Sequence, residues 1–325
     1  MVRKGYNSYV GFGVESTYGS AVTPTGFVEY NSEGFKMKRE EMIISSINGS
    51  RHYKKRLYGK QSVTGSLEFP VVSGAGLPIF IHGIGSASTT AVSTSAYQHT
   101  ILGGVCSTSI TFEVCRDTED STSTFRYTGS KINSLELNCS IKDTLNCTID
   151  VVCNDEVRTV NTISTAVYRS FNPFYFIEGN ITVGDSLASV TTITVSNFNM
   201  KVENGLMDDY GFGSAKINTL QQGMQKVTFS IEARFDDLTL YNRFVNGTKS
   251  ALKAVFDNGL TITGTTQTHK ITIMAGNCYF NGDGANIDKP DQLVKVKFPI
   301  QSIYEDASIT TVSFAMITDA TLTTQ

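Results

Sequence analysis

The sequence predicts a mainly β protein made of antiparallel sheets, arranged as a sandwich or barrel. Apolar and polar residues alternate along many short segments, which is the pattern of strands with one buried face. The chain has 28 glycines, 14 tyrosines and 19 phenylalanines among 325 residues and is rich in Thr, Ser, Val and Ile, a composition that favours strands and turns. With 40% hydrophobic and 18% charged residues, it has enough apolar surface for one large core or two smaller ones.

The alternation predicts strands along the whole chain. In the clearest one, Val63, Leu67 and Phe69 face one side, and polar residues face the other. Ile141 is expected at the end of the apolar face of a later strand, before a turn at Lys142 and Asp143. The predicted strands cover residues 63–69, 135–141, 145–153, 227–235, 294–300 and 312–316.

A repeat divides the chain into two similar halves. Residues 59–68 and 223–232 share six identical positions (Gly, Gln, Val, Thr, Ser and Glu) at an offset of 164 residues. Residues 35–38 resemble residues 198–201 at nearly the same offset, and a polar stretch of about twenty residues separates each pair of matches. We therefore predict a tandem duplication with units 1–165 and 166–325, divided near the turn-rich Asn172-Pro173.

A short helix is predicted after the shared strand in each copy. The segments are residues 76–83 in the first copy and residues 236–246 in the second. In the second segment, Asp236 is expected to cap the helix, and Leu238, Tyr241 and Val245 are expected to share its apolar face.

The twenty-residue stretch between the matches is both charged and apolar. Loops beyond about 12–15 residues are uncommon unless they are functional. An ordinary solvated loop is one interpretation, and a protruding hairpin that contacts another protein is the one we favour. Its candidate contact residues in the first copy are Arg39, Glu40, Glu41, Met42, Ile43, Ile44, Ile47, Arg51, Lys54, Lys55 and Arg56, and in the second copy Asp208, Asp209 and Lys216.

The opening of the chain and its element order resemble a known family. Residues 11–25, Gly-Phe-Gly-Val-Glu-Ser-Thr-Tyr-Gly-Ser-Ala-Val-Thr-Pro-Thr, are followed by Phe27-Val-Glu-Tyr-Asn-Ser-Glu33. This opening resembles the N-terminal stretch of tail tube proteins of long-tailed bacteriophages, and the segments around residues 59–69, 77–85 and 97–100 fit as well. The resemblance covers most of the first copy and is diffuse in the second.

The resemblance implies a self-assembling virion protein. Family members form rings that stack around a lumen through which DNA leaves the capsid, and duplicated members can form trimers with pseudo-sixfold symmetry. The implied fold here is two tail-tube-like antiparallel β-sandwich or barrel domains, each with one short α-helix and a long protruding loop. The first 25 residues would be an arm that orders on assembly, and the long stretches would contact the adjacent ring.

The polar face of the shared strands supplies candidates for the lumen wall. The candidates are Thr64, Ser66 and Glu68 in the first copy and Thr228, Ser230 and Glu232 in the second. Alternation of this kind also fits any strand that faces solvent. If the face lines the tube, a negative, hydroxyl-rich wall would repel phosphates and let DNA pass without binding.

Composition and motifs argue against several other functions. The formal net charge of −3, from 27 basic and 30 acidic residues, is unlike that of a protein that grips nucleic acid. No nucleophile elbow, phosphate-binding glycine loop or metalloprotease motif is present, so we expect no enzyme activity and no cofactor or metal.

The four histidines are scattered along the chain, and His99 and His269 precede strands at similar places in the two copies. The six cysteines form no metal-binding pattern and are expected to be buried thiols, with disulfides in the assembled particle as the alternative.

The expected partners follow from the resemblance. They are further copies of this chain, a tape-measure protein, tail initiator and terminator proteins, a sheath protein if the tail is contractile, and DNA only in transit. No apolar stretch is long enough to span a bilayer or to serve as a signal peptide, so we expect no membrane anchor and assembly in the host cytoplasm before incorporation into the virion tail. A tail terminator, a capsid decoration protein or a β-sandwich adhesin is the alternative.

Overall fold

The computed structural model describes residues 5–47, 49, 51–158, 163–234, 238–281, 295–303 and 312–319. In these ranges the chain is mainly β, with antiparallel pairing, as the sequence predicts. The strands up to residue 158 are β1 (Tyr9–Glu15), β2 (Gly26–Val28), β3 (Ser32–Glu33), β4 (Lys36–Ile44), β5 (Lys55–Pro70), β6 (Gly85–Ser93), β7 (Ala96–Gly103), β8 (Ser109–Cys115), β9 (Thr124–Ser140), β10 (Asn146–Cys153) and β11 (Asp155–Arg158). The later strands are β12 (Gly179–Ser186), β13 (Ser189–Thr192), β14 (Val195–Glu203), β15 (Met207–Asp209), β16 (Thr219–Gln221), β17 (Lys226–Arg234), β18 (Ser250–Thr261), β19 (Thr268–Phe280), β20 (Lys295–Ser302) and β21 (Ser313–Thr318).

Two short helices follow the shared strands. The helix α1 (Leu77–Ile84) begins after Gly76, whose φ of 67° is readily adopted by glycine, and carries Pro78 in its first turn. The helix α2 (Thr239–Val245) occupies the equivalent place in the second half. Two 3₁₀ turns, Ser121–Ser123 and Phe176–Glu178, complete the regular structure of the described ranges.

The strands form two large sheets that each run through both halves of the chain and that are joined where β19 pairs with β20, from Cys278 opposite Ser302 to Phe280 opposite Ile300. In the first sheet the order is β4, β5, β10, β9, β14, β17, β20, and β3 pairs with the end of β5. In the second sheet the order is β6, β7, β21, β19, β18, β12, β13. The β9–β14 pairing joins the halves in the first sheet, and the β7–β21 pairing joins them in the second.

A smaller antiparallel layer is attached to the long strand β9. Its order is β2, β1, β8, the first part of β9, and β11. Phe35 packs against Phe112 and Tyr127 beneath it, with ring centroids 5.2 and 4.8 Å apart.

The core lies between the two large sheets. Phe80 of α1 stacks on Phe314 of the second sheet at 5.0 Å and contacts Phe69 of the first sheet at 6.2 Å. Phe198 and Phe256 connect the sheets in the second half, with centroids 6.0 Å apart. Buried residues of both halves form one continuous core. The division into units 1–165 and 166–325 therefore stays a prediction from the sequence repeat.

Three sequence predictions need correction. Residues 9–15 of the expected arm form β1, which pairs with β8 along its whole length and buries Tyr9, Val10 and Phe12, so this part is ordered without assembly. Residues 1–4 lie outside the described ranges. Ile141 is not part of a strand face, because β9 ends at Ser140 and the chain turns at Lys142, whose φ is 73°.

The third correction concerns α2. Leu240 and Phe244 pack against the core, whereas Leu238 and Val245 are exposed. The helix begins at Thr239, so Leu238 lies outside it as the N-cap residue, and its seven residues turn Leu240 and Phe244 toward the core in place of the predicted face. Asp236, the expected cap, lies outside the described residues.

Candidate assembly surfaces

The polar residues predicted to line a lumen lie on one face of the first sheet. In β5, Thr64, Ser66 and Glu68 alternate with buried Val63, Leu67 and Phe69. In β17, the residues Thr228, Ser230 and Glu232 alternate with buried Val227, Phe229 and Ile231. For both strands, the side chains predicted to face the core are the buried ones.

The strand register makes this polar face continuous across both halves. Directly paired residues in an antiparallel sheet point to the same side. One row of paired residues crosses six strands and contains Glu68, Thr148, Glu136, Lys201, Thr228 and Gln301. The row two residues further along each strand lies on the same side and contains Pro70, Asn146, Asn138, Asn199, Ser230 and Pro299. We call this surface the polar face.

The polar face carries charges of both signs instead of the expected negative wall. Glu232 forms an ion pair with Lys295 at 3.2 Å, and Glu203 forms one with Lys201 at 2.9 Å. The hydrogen bond between Lys201 and Glu203 raises the pKa of the lysine and lowers the pKa of the carboxyl group, which favours the charged pair.

The acidic centre of the polar face is held by neutral donors. Glu136 accepts a hydrogen bond from the Asn199 amide, 2.5 Å away, and Asp150 accepts one from Ser134 at 2.9 Å. Ser32 donates to Glu68 at 3.4 Å. These carboxylates therefore sit among amides and hydroxyls, with Lys201 directly opposite Glu136. Further lysines lie toward both edges of the face, Lys295 and Lys297 on β20 and Lys36 on β4.

Residues 36–44 and 55–64 pair as a protruding β-hairpin. β4 pairs with β5 from Lys36 opposite Thr64 to Ile44 opposite Lys55. β10 covers the neighbouring edge of β5 only as far as Val63, which pairs with Cys153. At about 3.3 Å per residue, the eight residues from Val63 to Lys55 extend roughly 26 Å beyond that point. We call the described residues among 39–58 the hairpin, and those among 45–54 its tip.

The hairpin exposes apolar side chains that have no core of their own. Met42, Ile43, Ile44 and Ile47 are 51%, 52%, 41% and 108% exposed. All nine residues of β4 are exposed, and within the described part of the chain β4 pairs only with β5. An exposed apolar strand with an open edge is typical of a surface that another chain covers.

The charges of the hairpin pair across its two strands. Arg56 Nε lies 2.7 Å from Glu41, and Lys60 Nζ lies 3.7 Å from Glu40. The guanidinium groups of Arg39 and Arg56 lie 5.4 and 5.3 Å from the centre of the Tyr58 ring. Arg51, Lys54 and Lys55 are exposed at or next to the tip, so the tip is basic.

The corresponding stretch of the second half of the chain is arranged differently. It forms the two-stranded pair β15–β16 and folds back on the base of the hairpin. The Tyr210 hydroxyl donates to the backbone carbonyl of Gln61 at 3.0 Å, and the backbone amide of Gln61 donates to the Ala215 carbonyl at 2.7 Å. Lys216 forms an ion pair with Asp155. Asp208 and Asp209 are exposed in β15. This stretch braces the hairpin within the chain, and its Lys216 is already engaged there.

Sequence reasoning missed a buried polar cluster around Glu113. Its carboxylate accepts hydrogen bonds from Tyr9, Arg126 and Ser164 at 2.7, 2.6 and 2.6 Å. Burial, followed by the hydrogen bond to Glu113, raises the pKa of Tyr9. In the sequence, Glu113 lies between Phe112 and Val114, which is the pattern of a strand position that faces solvent. No local feature of the sequence indicates that Ser164 covers it.

Among the described residues no cluster of His, Cys, Asp or Glu is arranged to hold a metal ion. All six cysteines are free thiols, and all but Cys106 are buried, as predicted. His99 and His269 lie on β7 and β19 and hydrogen-bond to Thr89 and Ser73, each at 2.8 Å. No helix in the described ranges is long and apolar enough to cross a membrane.

The fold is that of a mainly β protein that exposes an apolar hairpin and a continuous polar face. The family model described as phage tail tube protein matches residues 5–315, nearly the whole chain. The chain therefore belongs to the phage tail tube protein family, whose members are structural components of the virion tail. No curated protein matches it significantly.

Proposed function

We propose that this chain assembles into rings that stack into the tail tube and surround the DNA during its ejection into the host. The observation that carries the proposal is the polar face, which unites Thr64, Ser66 and Glu68 with Thr228, Ser230 and Glu232 on one side of a single sheet. Trimers with pseudo-sixfold symmetry would give each half of the duplicated chain one sixth of the ring.

The chemistry of the polar face suits a conduit. A phosphate that bound Lys201 or Lys295 would compete with the carboxylate that already pairs with each lysine. The carboxylates at its centre repel phosphates, and amides and hydroxyls offer little counterion-release gain. The wall would therefore contact DNA without holding it, and no catalytic group is required.

The hairpin would supply the contact between rings. Its apolar residues would gain buried area, and its basic tip would set the register of stacking. Assembly in the host cytoplasm, with tape-measure, initiator and terminator proteins and with a sheath if the tail contracts, completes the proposal.

Electron microscopy of the purified protein tests the tube assignment. We expect tubes with a regular ring repeat from the intact chain. Isolated single rings would indicate a terminator, and monomers with no assembly would favour a decoration protein or an adhesin.

Deletion of residues 43–52 tests the role of the hairpin. We expect soluble rings that no longer stack, because the exposed apolar residues Ile43, Ile44 and Ile47 are removed while the core stays intact. Normal tubes from this variant would refute the inter-ring contact.

A further inference from the structure

A second exposed apolar surface lies at the end of the first sheet opposite the hairpin. Its side chains are Ile141, Tyr175 and Ile177, which are 53%, 38% and 69% exposed. We call this group the turn-end surface, because it surrounds the turn between β9 and β10. Its residues come from two segments, the turn itself and the connection between the two halves of the chain.

The backbone holds the turn-end surface in place. The Phe176 amide donates to the Asp143 carbonyl at 3.2 Å, and Thr144 forms a β-bridge with Tyr175. Ile141 projects beside a small cleft of about 60 Å³, which Phe176, Ile181 and Phe198 also line. The turn-end surface is therefore apolar and held in place by backbone hydrogen bonds, and its cleft could accept a side chain from another copy.

The hairpin tip and the turn-end surface lie at the two ends of the same strand. β5 begins at Lys55, next to the tip, and ends at Pro70, which pairs with Asn146 beside the turn. Sixteen residues of strand span roughly 50 Å at about 3.3 Å per residue. Two copies that follow one another along the direction of β5 would bring the tip of one onto the turn-end surface of the other.

The charges of the two surfaces are complementary. The tip region carries Arg51, Lys54 and Lys55. The turn-end surface carries Asp143 and Glu178 together with one exposed cation, Lys142. The Asp143 carboxylate caps the Thr144 amide at 2.8 Å, and Glu178 accepts from the Tyr175 amide at 3.3 Å, so both acids are fixed at the surface. An apolar basic tip and an apolar acidic surface satisfy the requirements of a head-to-tail contact.

We propose that the hairpin tip of one copy binds the turn-end surface of the copy in the next ring. Met42, Ile44 and Ile47 pack against Ile141 and Ile177, and Lys54 or Lys55 approaches Glu178. This assignment rests on the proposed tube function and names the surface that receives the hairpin. The same contact, repeated from copy to copy, produces an open stack instead of a closed dimer.

Cysteine cross-linking tests the pairing in assembled tubes. The background variant Cys106→Ser removes the only half-exposed thiol of the chain. In this background, the pair Ile47→Cys with Ile177→Cys is compared with the control pair Ile47→Cys with Val105→Cys. Val105 is exposed, at 75%, and lies beside Cys106, whose amide donates to Gln222. Mild oxidation should join the first pair into covalent ladders of many copies and leave the control pair uncross-linked.

A charge variant gives a second readout that does not depend on cross-linking. Ile177→Lys removes an apolar contact and places a cation opposite the basic tip, so the protein concentration needed for tube formation should rise at least about tenfold. Val105→Lys should leave that concentration unchanged.

The outcomes separate the two proposals. Tubes that form normally but cross-link only in the control pair, or in neither pair, would overturn the turn-end surface as the acceptor while the tube function stands. Unchanged assembly of Ile177→Lys would also overturn it. Failure of the intact chain to form any tube would overturn the tube function and this contact together.

Discussion

Glu113 shows how strongly one buried side chain connects distant parts of the chain. It lies on β8, receives Tyr9 from β1 and Arg126 from β9, and is covered by Ser164 from the connection between the halves. Its side chain is fully buried and that of Arg126 is 15% exposed. Removing one member of a buried ion pair leaves the other charge without compensation.

Glu113→Gln should therefore destabilise the protein by about 2–4 kcal/mol. The chain has no tryptophan, so urea unfolding is best followed by far-ultraviolet circular dichroism. The matched control is Glu119→Gln at an exposed position, which should change the free energy of unfolding by no more than about 0.5 kcal/mol. Equal effects of the two variants would show that the buried pair adds nothing to stability.

Cys106 is expected to differ from the other thiols in its reactivity. Burial raises its pKa, but hydrogen bonding and charge interaction with His82 outweigh that effect and lower the pKa to about 7. His82 is oriented for this by its contact with the Pro78 carbonyl, at 2.7 Å. The thiolate is the reactive form, so alkylation should rise with pH to a midpoint near pH 7.

Mass spectrometry after a short iodoacetamide pulse measures this pH dependence. In His82→Gln the midpoint should move up toward the ordinary thiol value of about 8.5. For comparison, burial raises the pKa of Cys139 to about 11, and this thiol should stay unmodified in the folded protein. A midpoint that is the same with and without His82 would contradict the assigned cause.

At the scale of single elements, the transition from α1 to β6 depends on one glycine. Gly85 has a φ of 154°, and a Cβ built on it would lie 2.3 Å from the Leu102 carbonyl oxygen and 2.5 Å from the Gly104 nitrogen. Backbone atoms of a paired strand have little freedom to move away. Glycine therefore allows the helix to end and β6 to pair with β7 immediately.

Gly85→Ala should accordingly cost at least about 2 kcal/mol of stability. The control is Gly104→Ala, because an added Cβ there meets nothing within 4 Å and the backbone has an ordinary φ. Thermal unfolding of both variants, compared with the unmodified chain, measures the difference. A neutral Gly85→Ala would mean that the β6–β7 pairing tolerates displacement at this point.

Sequence periodicity predicted elements well where one face is buried throughout. The strands at residues 63–69 and 145–153 have the predicted inward residues, because a period of two fixes which side chains meet the core. It failed for Ile141, because a turn with positive φ cannot be read from hydrophobicity, and for α2, because a helix of seven residues is too short to define its face. The bracing of the hairpin by Tyr210 depends on contacts 149 residues apart in sequence, which no local pattern reveals.

At the scale of the whole molecule, the halves are joined more closely than the repeat alone suggests. β9 and β14 pair over seven residues, from Ser140 opposite Asn197 to Ser134 opposite Glu203, and β7 pairs with β21 over six. Each large sheet is therefore completed by strands from both halves. The same edges that are satisfied inside the chain would be open if the halves were separated.

Separating the halves tests how far the sequence repeat corresponds to independent folding units. Expressed alone, residues 1–165 would lose the partner strands of β9 and β7, and residues 166–325 would lose those of β14 and β21. Exposed strand edges and an opened core favour aggregation, so we expect each half alone to be insoluble or unfolded, and the two halves produced together to form a soluble pair. Gel filtration and circular dichroism of the separate and combined halves measure this. If each half folded alone as a soluble monomer, the predicted two-domain division would stand, and the shared sheets would be an interface between domains that are already folded.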